Sequence, residues 1–381
     1  MERVYLDHAA TSPVHPDVLE EMVHFMRDVF GNPSSIHSFG RESRRFLDES
    51  REIIAKSIQA DAKEIIFTSG GTEADNTAII GTALANADKG KHIITTEIEH
   101  PAVLQSCRYL ERYGFRITYL PVDESGVVSI EDVNKALQDD TILVSVMLGN
   151  NEVGSIQPIE EIGQLLKEHQ AYFHSDAVQA YGLLPIDVGR MGIDLLSVSG
   201  HKINGPKGTG FLYVRKGVKF SPRLFGGEQE LKRRAGTENV PGVVGLAKSV
   251  QIAESTREEK AKQYSHFKQV MMDLFQKENI SFQINGSVKN SLPHIMNVFF
   301  PGTNVESLLV NLDLAGIAAS SGSACTAGSV EPSHVLVSMF GKNSERITSS
   351  VRFSFGLGNT EEEIANTAKT ISKIIKRLTS K

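Results

Sequence analysis

Asp194-Leu195-Leu196-Ser197-Val198-Ser199-Gly200-His201-Lys202 is an apolar strand that ends in small and polar groups. Its core lacks polar alternation, as strands covered on both faces do. Lys202 therefore emerges where an α/β sheet places its ligands, at the carboxyl ends of its strands. An amine in that position can condense with a carbonyl group. A lysine that simply leaves a strand for solvent is the alternative, and Lys207, in the turn-forming Gly205-Pro206-Lys207-Gly208, is the local competitor.

Similar runs lie on either side. Ile65-Ile66-Phe67-Thr68, His92-Ile93-Ile94-Thr95, Ile117-Thr118-Tyr119-Leu120 and the run 142–147 read as strands, as do Tyr172-Phe173-His174 and 210–214. Helical stretches at 72–87, 101–113, 130–137 and 158–169 separate them. The pattern predicts an α/β unit with a mostly parallel seven-stranded sheet between helices. From about residue 241 a long helical stretch begins, charge-rich at 254–261, followed by strands near 282–284 and 295–300 and helices near 305–314 and 361–378. This predicts a smaller α+β domain. The expected division is a large domain over 16–240 and a small one formed by 1–15 with 241–381.

Composition narrows the function. The chain has 381 residues, 40% hydrophobic and 23% charged, the profile of an ordinary globular protein too long for one small core. A net charge of −6 argues against nucleic acid or an anionic membrane as the direct partner. No basic segment followed by an apolar run opens the chain, so no signal peptide is expected, and no apolar stretch approaches the ~18 residues of a membrane span. Two cysteines, Cys107 and Cys325, make neither a disulfide framework nor a metal cluster. A cytoplasmic location is expected.

Several motifs carry chemistry. Thr68-Ser69-Gly70-Gly71-Thr72-Glu73 follows a strand and opens a helix, and its small residues let backbone N–H groups approach a phosphate. Asp176 ends the strand that begins at Tyr172, with Gln179 three residues on; it suits the nitrogen of a pyridine ring or, alternatively, a helix N-cap. His100 stands between a strand and a helix opened by Pro101, where it could stack on an aromatic cofactor and move protons. Arg352 alternates with apolar residues in Val351-Arg352-Phe353-Ser354-Phe355 and suits a carboxylate clamp or an exposed strand. Cys325 lies in Ser320-Ser321-Gly322-Ser323-Ala324-Cys325-Thr326-Ala327-Gly328-Ser329, a run without large apolar neighbours. A thiol there suits chemistry better than packing. Cys107, with Val103 and Leu110 at helical spacing, reads as a packed core thiol.

In these motifs the chain resembles the class I cysteine desulfurases of the nitrogen-fixation and iron–sulfur-cluster type, class V aminotransferases among the fold type I pyridoxal-phosphate enzymes. The matching stretches are 5–11, 31–35, 67–73, Asn150-Asn151-Glu152-Val153-Gly154, Ser199-Gly200-His201-Lys202, Ala235-Gly236-Thr237-Glu238-Asn239 and 320–326. The resemblance implies pyridoxal 5'-phosphate on Lys202, with His100 stacked on its ring and Asp176 and Gln179 at its nitrogen and hydroxyl. It implies that Asn151 touches cofactor and substrate. Gly71, Thr72, Ser199 and His201 would hold the phosphate, with Thr237 reaching in from the second subunit of a homodimer. Arg352 would bind the carboxylate of L-cysteine, and Cys325 would take its sulfur as a persulfide. A sulfur-acceptor protein, either a cluster scaffold or a tRNA-thiolating enzyme, would follow.

Three departures from the family pattern stand out: Leu148-Gly149, Phe225-Gly226-Gly227-Glu228-Gln229-Glu230 and Ala327-Gly328. The second bears on the loop that carries Thr237. An aminotransferase or selenocysteine lyase on the same fold needs no nucleophilic thiol, and a sulfur-handling scaffold without turnover is a further alternative.

Overall fold

The computed structural model describes residues 3–321 and 332–380. Cys325 lies outside the described residues. The chain enters through β1 (Val4–Tyr5) and two helices, Pro16–Asp28 and Ser38–Ser57, that precede the periodic region. Both begin after a histidine whose ring accepts a backbone N–H, His15 from Asp17 and His37 from Gly40, satisfying donors that a helix start leaves open.

Seven strands follow: β2 (Ile65–Thr68), β3 (His92–Thr96), β4 (Arg116–Leu120), β5 (Thr141–Ser145), β6 (Tyr172–Asp176), β7 (Leu195–Ser199) and β8 (Gly210–Val214). They form one sheet in the order β2-β8-β7-β6-β5-β3-β4. All pairings are parallel except those of β8, which runs antiparallel to both neighbours. Adjacent residues of a strand feed opposite cores. Ile65, Phe67, Leu196 and Val198 join Leu47, Ile54, Ile162 and Leu246 on one face. Ile66, Leu195 and Leu212 join Ala78, Ile79, Val103 and Leu110 on the other. Burial on both faces explains why these strands lack polar alternation. The helix expected over 72–87 runs as Gly71–Asn76, a π turn at Thr77–Gly81, and Thr82–Ala85.

The remaining strands are β9 (Gln283–Asn285), β10 (Ile295–Phe299), β11 (Ile317–Ala318) and β12 (Ser350–Ser354). β10 lies between β9 and β12, antiparallel to both, while β1 pairs in parallel with β11. Leu6 thus packs into a second core with Phe275, Val298, Phe300, Phe353 and Ile371. One helix, Val240–Lys277, serves both cores: Val243, Leu246 and Val250 pack on the large sheet, and Phe267, Met271 and Phe275 in the second core. Among the described residues no helix is long and apolar enough to cross a membrane.

Candidate active site

The carboxyl ends of β2, β3, β5, β6 and β7 open toward one cavity of about 780 Å³. β3 and β5 are neighbours whose chains continue to opposite sides of the sheet, β4 on one side and β6 and β7 on the other. Such a switch point leaves a crevice between the departing connections. His100, Asn151, Asp176, Gln179, Ser199, His201, Lys202, Gly71, Thr72 and Arg352 all line this cavity. Thr237 is exposed and does not line it within its own chain.

Lys202 follows β7 in a single 3₁₀ turn, Gly200–Lys202. Its Nζ donates to the carbonyls of Ala9 and Ala10, the latter at 2.8 Å. Burial, then the charge of Arg352, lowers its pKa to about 8, so a reactive neutral amine is within reach near neutral pH. Lys207 also lines the cavity but is exposed.

Asp176 is buried at the end of β6, and its Oδ1 accepts from the Val178 N–H at 2.8 Å. Burial raises its pKa, while His100, that N–H and Lys202 favour the charged form. His100 caps the helix Pro101–Glu111: its Nδ1 accepts from the Ala102 N–H at 3.1 Å, which leaves Nε2 as the protonated nitrogen of the neutral ring. Burial lowers its pKa. Gln179 is held at both ends, its Nε2 donating to Ala9 O at 2.9 Å and its Oε1 standing 3.2 Å from His294 Nε2. The second N–H of that amide has no acceptor among the described residues.

The loop after β2 is shaped for close approach. Gly70 has φ +145°, a backbone state that side chains rarely adopt, and a Cβ on Gly71 would sit 2.9 Å from Val178. Ser199 packs against this turn, its hydroxyl 3.4 Å from where a Cβ on Gly70 would stand, and His201 lines the same cavity. His201 lies 3.0 Å from the Thr11 hydroxyl, and burial takes its pKa down to about 4, so its ring is neutral.

Arg352, which exposure on a strand could have made a surface residue, is buried. It donates to Asn151 O at 2.8 Å and to Asp7 Oδ1 at 2.7 Å. The side-chain Oδ1 of Asn151 is buried without a protein partner among the described residues.

Four contributors carried no assigned role in the sequence. Asp75 lines the cavity and is buried, one turn after Gly71 on the same helix face, which is the spacing that could have revealed it. Asp7 holds Arg352. Glu73 accepts from the Ser69 N–H at 2.7 Å and pairs with Arg234 at 2.8 Å, tying the phosphate-type turn to the loop of Thr237. Glu230, within the departure at 225–230, is buried and forms a two-bond pair with Arg51, both at 2.7 Å, while accepting from the Phe67 N–H. That departure therefore anchors the loop to β2.

The comparisons agree with this geometry. The aminotransferase class-V family model matches residues 4–366. The chain belongs to that family, on its cysteine desulfurase branch. It is 64% identical over 379 residues to the putative cysteine desulfurase IscS 1 of Bacillus subtilis (strain 168), covering 100% of each chain. Among solved structures it resembles a NifS-like protein with a TM-score of 0.92 and 38% identity, covering 98% of this chain and 100% of that one. SspA in complex with cysteine matches with a TM-score of 0.82 and 38% identity over 92% of this chain and 98% of that chain. Members of this branch are pyridoxal-phosphate enzymes, and this chain is one of them. The residues fit that cofactor: the Asp176 carboxyl, with no ion-pair partner among the described residues, suits a ring nitrogen, the orphaned Asn151 Oδ1 awaits a donor, and the Gly70–Gly71 turn admits a phosphate.

Proposed function

We propose that the chain converts L-cysteine to L-alanine and takes the sulfur onto Cys325 as a persulfide. The observation that carries this is the convergence of Lys202, Asp176 and Arg352 on one cavity, in a chain that also supplies a cysteine without large apolar neighbours in sequence.

Bound pyridoxal phosphate supplies an electron sink for charge released at the substrate's Cα. Lys202 would hold the cofactor and carry the proton away from Cα, a task suited to an amine whose pKa is about 8. Asp176 would keep the ring nitrogen protonated, with His100 against the ring face and the free N–H of Gln179 toward its hydroxyl. Asn151 would contact the cofactor and substrate, and Gly71, Thr72, Ser199 and His201 would hold the phosphate. Arg352 would orient the substrate carboxylate. The Cys325 thiolate would attack the substrate sulfur, so that an S–S bond forms as the C–S bond breaks. Atoms balance as L-cysteine plus thiol to L-alanine plus persulfide.

The working unit in this reading is a homodimer in which Thr237 serves the neighbouring site. Met26, Phe30, Ile36 and Phe225 are exposed apolar side chains on or beside the first two helices and the loop of Thr237, and a second copy would cover them. Residues 16–240 form the cofactor-binding unit, and 1–15 with 241–381 the smaller one. The protein is cytoplasmic and passes sulfur to a cluster scaffold or a tRNA-thiolating enzyme.

Purified enzyme given L-cysteine should release alanine matched by sulfur, as persulfide or, with an added thiol, as sulfide. Borohydride should fix the cofactor on the peptide carrying Lys202. Cofactor on Lys207, or alanine without mobilised sulfur, would overturn the reading.

A further inference from the structure

Asp7 and Arg352 reach the cavity from two adjacent stretches: Asp7 bridges in parallel to Ser354, two residues beyond Arg352 on β12. The Arg352 guanidinium has five N–H groups. One is taken by Asn151 O and one by Asp7 Oδ1, and Nε is buried with no protein acceptor among the described residues. Arg352 is thus fixed at two points, with donors left over. The two partners differ in kind. Asn151 O is a neutral backbone acceptor, whereas Asp7 is an anion that also lines the cavity, its side chain 21% exposed against 4% for Arg352.

A carboxylate arriving at this guanidinium meets an anion already bound to it. Arg352 is buried and Asp7 only partly exposed, and like charges repel more strongly in such a part-buried cavity than in bulk water. We propose that Asp7 is a positioning residue that holds Arg352 toward the cavity and, by its charge, competes with the substrate carboxylate and sets the affinity of the site for it. The proposal rests on the reading that Arg352 receives that carboxylate. Its two parts separate in two substitutions. Asp7→Asn keeps a side-chain acceptor for Arg352 and removes the charge, so carboxylates should bind more tightly. Asp7→Ala removes both, so the guanidinium loses one of its two anchors and carboxylate binding should weaken.

The test uses calorimetric binding to the purified holoenzyme of 3-mercaptopropionate, which has the thiol and carboxylate of cysteine without its amine. Cysteamine, which has the thiol and amine without the carboxylate, is the control. Asp7→Asn should lower the Kd for 3-mercaptopropionate by a factor on the order of ten, and Asp7→Ala should raise it. KM for L-cysteine should move in the same two directions, with cysteamine binding unchanged. Shifts of the same sign in both variants, or an equal shift for cysteamine, would overturn the role of Asp7. If Arg352→Gln leaves 3-mercaptopropionate binding unaltered, the underlying reading of Arg352 fails instead; if it abolishes binding while Asp7→Asn does nothing, only the proposal for Asp7 fails.

Discussion

One carboxylate oxygen of Asp75, one of Asp176 and one ring nitrogen of His100 lie within 4.8 Å of one another. Two buried carboxyls so close cannot both ionise cheaply. Burial, followed by the charge of Asp176, raises the pKa of Asp75 well above the ordinary value, and its Oδ1 has no hydrogen-bond partner among the described residues. Its neighbour His174, 3.6 Å away, is no cation, because burial takes that ring's pKa down to about 3. Burial raises the pKa of Asp176 as well, but His100, the Val178 N–H and Lys202 oppose that rise, so of the two it is the carboxyl whose surroundings favour the charge. Asp75→Asn, which imitates a protonated acid, should therefore retain the cofactor through dialysis as the wild type does. Asp176→Asn should lose most of it, read by visible absorbance. Equal behaviour of the two variants would reverse the assignment.

Glu99 supplies a pH signature of the same kind. It is fully buried, its Oε1 accepts from the Thr96 hydroxyl and the Met147 N–H, and its Oε2 has no partner among the described residues. Burial raises its pKa from 4.5 to about 8. A carboxyl with a raised folded pKa contributes stability that is complete below pH 4.5 and is lost as pH rises through about 8. Each unit in that interval is worth about 1.4 kcal/mol per proton. Glu99→Gln keeps both acceptor contacts without the ionisation. Thermal unfolding of the variant should fall less between pH 5 and pH 8 than that of the wild type, as those limits bracket most of the shift. Parallel curves would show that Glu99 does not titrate there.

The Glu230–Arg51 pair should be costly to break and cheap to replace. Both side chains are buried, Arg51 stacks on Phe67 at 4.4 Å, and the pair closes the start of the loop that carries Thr237. Glu230→Ala strands a buried cation and the Phe67 N–H, with an expected loss of about 3–5 kcal/mol in urea unfolding. Adding Arg51→Met should recover much of that loss, since no charge is then left unpaired. A loss below about 1 kcal/mol in the single variant would place the pair among solvent-screened contacts.

The large sheet was legible because its strands are buried on both faces, so Ile65–Thr68 and Leu195–Ser199 read as short uninterrupted runs. The direction of β8 was not, since an antiparallel strand between two covered faces has the same composition as a parallel one. Lys202, Asp176 and His100 were legible for a related reason: each stands at or just after a strand end, and the fold class says where strand ends point. Asp7 and Glu230 were not. Asp7 acts through Arg352, 345 positions away, and Glu230 through Arg51, 179 positions away. Neither pairing leaves a periodic trace. Arg352 was half legible: alternation placed it on one side of a strand, but the cover over that side comes from Asp7 and Asn151.

The two cysteines should separate completely. Cys107 is wholly buried among Val103, Leu110, Ile79 and Ile93, and burial pushes its thiol pKa far above the neutral range. Only a thiolate attacks sulfur, so Cys107 is chemically inert whatever its distance from the cavity. Cys107→Ala should keep turnover and cost on the order of 1 kcal/mol through the small void it leaves. Cys325→Ala should still bind the cofactor and L-cysteine, because the proposed function gives those steps to Lys202 and Arg352, yet form almost no alanine. After brief exposure to L-cysteine, mass spectrometry of the wild type should find one additional sulfur on the peptide containing Cys325 and none on that containing Cys107. Sulfur on Cys107 would move the nucleophile to that residue, and normal alanine formation by Cys325→Ala would remove the Cys325 thiol from the mechanism. In that second case the chain would act as a lyase that cleaves the C–S bond without a nucleophile of its own, whereas a 2-oxo acid formed in place of alanine would mark an aminotransferase.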